Sequence, residues 1–159
     1  MTASRRDLLL ITGIPGTGKT WYGDKFASEF GFVHYDIEKQ QTLHRLAADP
    51  TQFIADIVNQ NRDTVVTWGF APDDPASVSV VLQFKIASFK LIWFDGNRPA
   101  ALREFQKRAT VPEIAFYTQM YRIEDTKIVY HLKPIIINPF DGNGQFKPVA
   151  DLLEEIKRP

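Results

Sequence analysis

An α/β fold of three layers, with a five-stranded parallel sheet between two layers of helices, is predicted by three observations. Short apolar runs alternate with longer amphipathic stretches along the chain, the pattern of strands joined by crossover helices. The first of these runs is apolar without a break, as a strand covered on both faces must be. A length of 159 residues supports one core rather than two, so residues 1–159 are expected to form a single domain.

The elements follow in order. Residues 8–12 form the first strand, ended by Gly13. A helix over 18–30 carries Trp21, Lys25, Phe26 and Glu29 at helical spacing, with Gly31 as its stop. Residues 32–35 read as the second strand, ending at Asp36. Helices over 38–48 and 51–61 come next, divided by Asp49 and Pro50; the second has Phe53, Ile54, Ile57 and Val58 on one stripe. Residues 64–68 form the third strand, stopped by Gly69. Asp74 and Pro75 start a helix through 87, although its Val-rich stretch at 78–82 leaves a strand as the alternative. Residues 90–94 form the fourth strand, closed by Asp95, Gly96 and Asn97. Asn97 caps a helix over 98–109, and Val111 with Pro112 opens another to 124. Residues 134–138 are the fifth strand, and a turn-rich segment, 139–148, leads to a last helix over 149–157. Right-handed crossovers bring the C-terminal ends of all strands to one edge. Gly13, Asp36, Gly69, Asp95 and Asn138 gather there, where ligands of such sheets bind.

Composition narrows the function. Lys plus Arg and Asp plus Glu both number 19, so the chain lacks the basic excess of a dedicated nucleic-acid binder. With no cysteine, disulfides, thiolate catalysis and cysteine-ligated zinc are excluded. The apolar run before Gly13 is too short for a signal-peptide core or a membrane span, so a soluble cytoplasmic protein is expected. His34, His44 and His131 show no metal-ligand spacing.

The chemistry is concentrated in Gly13, Ile14, Pro15, Gly16, Thr17, Gly18, Lys19 and Thr20, which spell Gly, four residues, Gly-Lys-Thr. Glycines let successive amides turn inward around phosphate oxygens, and the following helix points its positive end at the same anion. Lys19 can reach the terminal phosphates and the Thr20 hydroxyl can ligate magnesium. The motif follows an apolar strand and opens an amphipathic helix, which is the setting it requires.

Loop and length together resemble the small P-loop kinases, the group of shikimate, gluconate, adenylate and polynucleotide kinases. The resemblance implies a P-loop NTPase fold with strand order 2-3-1-4-5, ATP and Mg2+ as cofactors, and a small hydroxyl-bearing acceptor. It gives Asp36, at the end of the second strand, a place beside the acceptor hydroxyl or the magnesium shell; the residue-level alternative is a helix cap. Glu38 reads as a first-turn helix residue. Residues 98–124 are similar to the lid of the gluconate kinase type, with basic residues, a short break, then Gln119 and, five residues on, Glu124. That similarity assigns Arg108 and then Arg103 to charge neutralisation at the phosphates, with Arg98 beside the nucleotide. Asn138 to Gly142 resembles the loop that flanks the adenine.

The pattern is incomplete in one place. Many P-loop ATPases close the third strand with a carboxylate, whereas here it closes with Thr67, Trp68 and Gly69. Asp73 and Asp74 come too late for that role, and Asp95 is a metal neighbour only if it is not simply a turn residue. Trp68, Phe70 and Trp93 are candidates for a pocket wall, with the core as the alternative. Two other functions stay open. A nucleotide or nucleic-acid 5′-end kinase is suggested by residues 15–21, and a nucleotide-binding regulatory protein without transfer activity by the missing acid. Extended nucleic acid and membranes are not expected partners.

Overall fold

The computed structural model describes residues 6–108 and 112–158. The expected helix boundary at Ala109 and Val111, and the first five residues, lie outside them. The chain runs β1 (Leu8–Gly13), α1 (Lys19–Phe30), β2 (Val33–Asp36), α2 (Gln40–Ala48), α3 (Pro50–Asn59), β3 (Thr64–Thr67) and α4 (Pro75–Ile86). It continues through β4 (Lys90–Phe94), α5 (Arg98–Lys107), α6 (Glu113–Thr126), α7 (Ile128–Leu132), β5 (Ile135–Ile137) and α8 (Val149–Lys157). The Val-rich segment is helical, begun by Asp74, whose side chain accepts from the Ala76 amide. The short α7 was not expected. It is bounded by Lys127 and Lys133, both left-handed, and five residues are too few to show a helical period.

All five strands pair in parallel, in the order β2-β3-β1-β4-β5, as the resemblance implied. The continuous apolar run of β1 has a direct cause. Leu10 packs on one face with Val66, Trp93, Ile57, Val81, Phe84 and Phe116, while Leu9 and Ile11 pack on the other with Tyr22, Phe26, Phe94, Leu152 and Ile156. A central strand with helices on both sides has no face to give to water. Among the described residues no helix is long and apolar enough to cross a membrane.

Hydrogen bonding continues past the strand ends and fixes the loops at the C-terminal edge. The amide of Ile14 donates to Phe94 O, Trp68 to Ile11 O and Ile37 to Thr67 O, each at 3.0 Å. Three loops that begin from three neighbouring strands are thereby held at one level.

Candidate active site

The loop after β1 bends back under α5. Gly16 has φ 79°, and a Cβ there would come within 2.0 Å of Ala101 O, so no other residue fits this close approach. Thr17 Oγ1 donates to Ile14 O at 2.8 Å and closes the turn. Ile14 itself is buried in the core, so it contributes its backbone to the loop. Gly18, which has no side chain, stands at the N-cap of α1 and leaves the helix's first amides and positive end to an anion.

Lys19 folds back over this loop, donating to Ile14 O at 2.8 Å and to Gly13 O at 3.4 Å. Burial lowers its pKa from the ordinary 10.5 to about 8, helped by the nearby Arg108 and opposed by Glu38 and Asp36.

Asp36 is buried at the end of β2. Its Oδ2 accepts from Thr20 Oγ1 at 3.2 Å, and its Oδ1 accepts from Thr67 Oγ1 at 3.4 Å and from the Glu38 amide at 3.0 Å. The end of β3, where a carboxylate is absent, thus supplies a hydroxyl to the carboxylate of β2. Behind Thr67 stands His34, with Nε2 at 2.7 Å from Thr67 Oγ1 and Nδ1 at 2.8 Å from Asp24 Oδ1. Thr20 and Asp36 present hard oxygen atoms side by side, which fits magnesium. Among the described residues no group of three or more His, Cys, Asp or Glu is placed so that it could hold a metal ion.

Glu38 lies on the turn before α2, one position outside the helix's N-cap, and not in its first turn. Its Oε1 accepts from the Gly69 amide at 2.6 Å. A Cβ on Gly69 would be 2.8 Å from Glu38 Oε1 and 3.6 Å from Lys19 Cε, so the carboxylate and the lysine flank the same point. A cleft of about 1010 Å³ opens there, lined by the phosphate loop, Glu38, Gly69, Phe70, Arg108, Gln119, Arg122 and Phe146.

The three arginines of the expected lid are placed differently from one another. Arg108, just past α5, lines the cleft with its guanidinium over the Phe105 ring. Arg103 turns away and donates to Gly144 O at 2.6 Å. Arg98 pairs with Asp95 and Glu124, so it clips α5 to the end of β4 and to α6. Neither Arg103 nor Arg98 is among the cleft-lining residues, because both are taken up by nearer acceptors. Asp95 is a turn residue that also accepts from the Gly96 amide. Trp68, Phe70 and Trp93 all belong to the core, and of the three Phe70 also lines the cleft; His44 and His131 are exposed.

Two features had no signal in the sequence. Arg122 on α6 donates from Nε to Asp73 at 2.9 Å in a two-pronged pair that joins α6 to the segment after β3. Phe146 lies against Gly18, stacks on Phe140 at 4.9 Å and on Trp21 at 5.6 Å, and forms an aromatic wall beside the phosphate loop. Both depend on residues far apart in the chain, Arg122 on Asp73 and Phe146 on Gly18 and Trp21.

No protein-family model matches the sequence. A stretch of 45 residues is 40% identical to an adenylate kinase isoenzyme 6 homolog of Caenorhabditis elegans, taking in 28% of this chain; the chain spans about a quarter (25%) of that curated relative. Solved structures match over nearly the whole length. A shikimate kinase from Bacteroides thetaiotaomicron is 14% identical with a TM-score of 0.62, over 94% of this chain and 97% of the other. A shikimate kinase from Acinetobacter baumannii in complex with shikimate gives 14% and 0.58, over 95% and 93%. A gluconokinase from Sinorhizobium meliloti gives 14% and 0.55, over 97% and 91%. Identities this low speak for architecture alone, and in architecture the agreement is plain: this chain has the fold of the small P-loop kinases.

Proposed function

We propose that the chain is a kinase that transfers the γ-phosphoryl group of ATP to a hydroxyl of a small acceptor. The observation that carries this reading is Glu38, a cleft-lining carboxylate held by the Gly69 amide and close to Lys19. A hydroxyl lying between them would have its proton taken by Glu38 as its oxygen forms the new bond to phosphorus and the bond to the β–γ bridging oxygen breaks. Lys19 and Arg108 counter the charge on the transferring group. Thr20 and Asp36 would hold magnesium, which when bound neutralises the phosphates and fixes their geometry. Relative to the sequence expectation, the acceptor-side role passes from Asp36 to Glu38, because Asp36 is enclosed by Thr20, Thr67 and the Glu38 amide.

In this reading residues 1–159 work as one domain, with 98–124 as the lid. Arg108 is its phosphate-facing residue, and Arg98 and Arg103 are structural ties. A cytoplasmic location goes with ATP as donor. The test is phosphorylation of a panel of polyols, hydroxy acids and nucleosides from labelled ATP. Wild type should label at least one acceptor, and Lys19→Ala should lower the rate about a thousandfold or more while keeping the fold. Wild-type rates in Lys19→Ala would refute the assignment. Tight ATP binding by calorimetry with no acceptor labelled would favour a nucleotide-binding protein instead.

A further inference from the structure

We propose that His34 is a positioning residue for the metal site, holding Asp36 against Thr20 through the Thr67 hydroxyl. The inference rests on the kinase reading above and adds a residue that the phosphate-loop motif does not contain.

Five side chains, joined by four hydrogen bonds, run from the surface to the phosphate loop. Asp24 is exposed on α1, and the His34 side chain is only 7% exposed. The contacts are Asp24 to His34 at 2.8 Å, His34 to Thr67 at 2.7 Å, Thr67 to Asp36 at 3.4 Å and Thr20 to Asp36 at 3.2 Å. The strand register explains how they meet. Asp36 pairs with Thr67, and His34 lies two residues before Asp36, so these side chains share one face of the sheet.

The chain has made room for this arrangement. Gly23 stands inside α1, where glycine is a poor helix former, yet a Cβ there would lie 2.4 Å from His34 Nε2. A side chain at this position would displace the ring. The need for an anchor follows from Thr67 itself. Its hydroxyl stands where a fixed carboxylate is missing, and a hydroxyl rotates to suit its neighbours. Donation from His34 Nε2 leaves the single Thr67 proton for Asp36 and removes that freedom, while Asp24 against the other ring nitrogen fixes the ring's orientation. Residues that orient a metal's own ligands typically change metal affinity 10–100-fold when replaced.

The experiment measures Mn2+ binding by electron paramagnetic resonance with a non-hydrolysable ATP analogue present, and analogue binding in EDTA by calorimetry. His34→Leu and Thr67→Val should each weaken Mn2+ about tenfold or more, with analogue affinity in EDTA unchanged. Asp24→Asn should fall between them and wild type. His34→Gln, whose amide reaches Thr67, should restore most of the loss. In turnover, the same variants should raise the KM for magnesium more than they lower kcat.

Unchanged Mn2+ affinity in His34→Leu and Thr67→Val would overturn the proposal. So would a fall matched by the loss of analogue binding in EDTA, or a His34→Gln protein as weak as His34→Leu. Should His34→Leu fail to fold, Thr67→Val and Asp24→Asn carry the comparison, their thermal midpoints confirming the native state. A wild-type protein that takes up no Mn2+ with nucleotide would instead overturn the kinase reading, and this proposal with it.

Discussion

Lys19 carries its charge at a partly buried place on the cleft wall, and that conflict has a cost in the absence of nucleotide. Its folded pKa of about 8 lies below the ordinary 10.5, so between those values the unfolded chain binds the extra proton. Stability therefore rises with pH across that window, and at pH 7 the penalty is present in full. Lys19→Met, free of the charge, should melt several degrees above wild type at pH 7, given about 2–4 °C per kcal/mol for a domain of this size. The gap should close between pH 8 and 10.5; a gap that does not change with pH would mean that burial of the charge is not its cause. The two carboxylates should separate by the same kind of reasoning. Glu38→Gln should lower kcat by about 10²–10⁴ with ATP affinity retained, whereas Asp36→Asn should weaken Mn2+ uptake; equal effects of both on metal binding would argue against the division of roles. The phosphate loop was legible in the sequence because its chemistry lies in eight consecutive residues. Glu38 was half legible: its spacing from Asp36 was visible, but its contact with Gly69 depends on strand pairing. Arg103 and Arg98 illustrate the converse, since a basic residue on a helix does not reveal which acceptor will claim it.

At the scale of elements, strand alternation and capping chemistry made the layered sheet readable. Asp49, Asp74 and Asn97 each accept an amide at the start of a helix, as their residue types indicate. The short α7 and the fold of the turn-rich segment between β5 and α8 were not readable, for want of periodicity and for dependence on distant packing. That segment is organised by its own contacts: Asp141 accepts the amides of Asn143 and Gln145, and Arg103 holds Gly144 from outside. Tyr22 donates from within α1 to Lys147 O at 2.7 Å. Phe146 is thereby set beside Gly18, where a nucleobase attached to a triphosphate in the loop would find an aromatic face. Phe146→Ala should raise the KM for ATP about fivefold or more, since base–aromatic stacking is worth about 1–3 kcal/mol, with kcat little changed. Steady-state kinetics with ATP and with bare triphosphate would check this: loss of affinity for triphosphate as well would place the effect in the loop and not the base.

At the scale of the whole molecule, charge decides between acceptors. The formal net charge is zero, and the cleft repeats that balance locally. Lys19, Lys107, Arg108 and Arg122 line it against Asp24, Glu38 and Glu104, and Arg122 is already paired with Asp73. Once a triphosphate has engaged Lys19 and Arg108, little positive charge remains to track a polymer backbone. Each phosphate contact to a single strand contributes a slope of about −0.7 in log affinity against log salt. One such contact costs a factor of about 2.6 between 50 and 200 mM salt, and four would cost about fiftyfold. The KM for the acceptor, measured at saturating ATP, is therefore expected to change less than about threefold over that range. A fall in acceptor affinity of tenfold or more would show several backbone contacts and turn the reading toward a nucleic-acid 5′ end, with the residues that supply them to be sought outside the cleft.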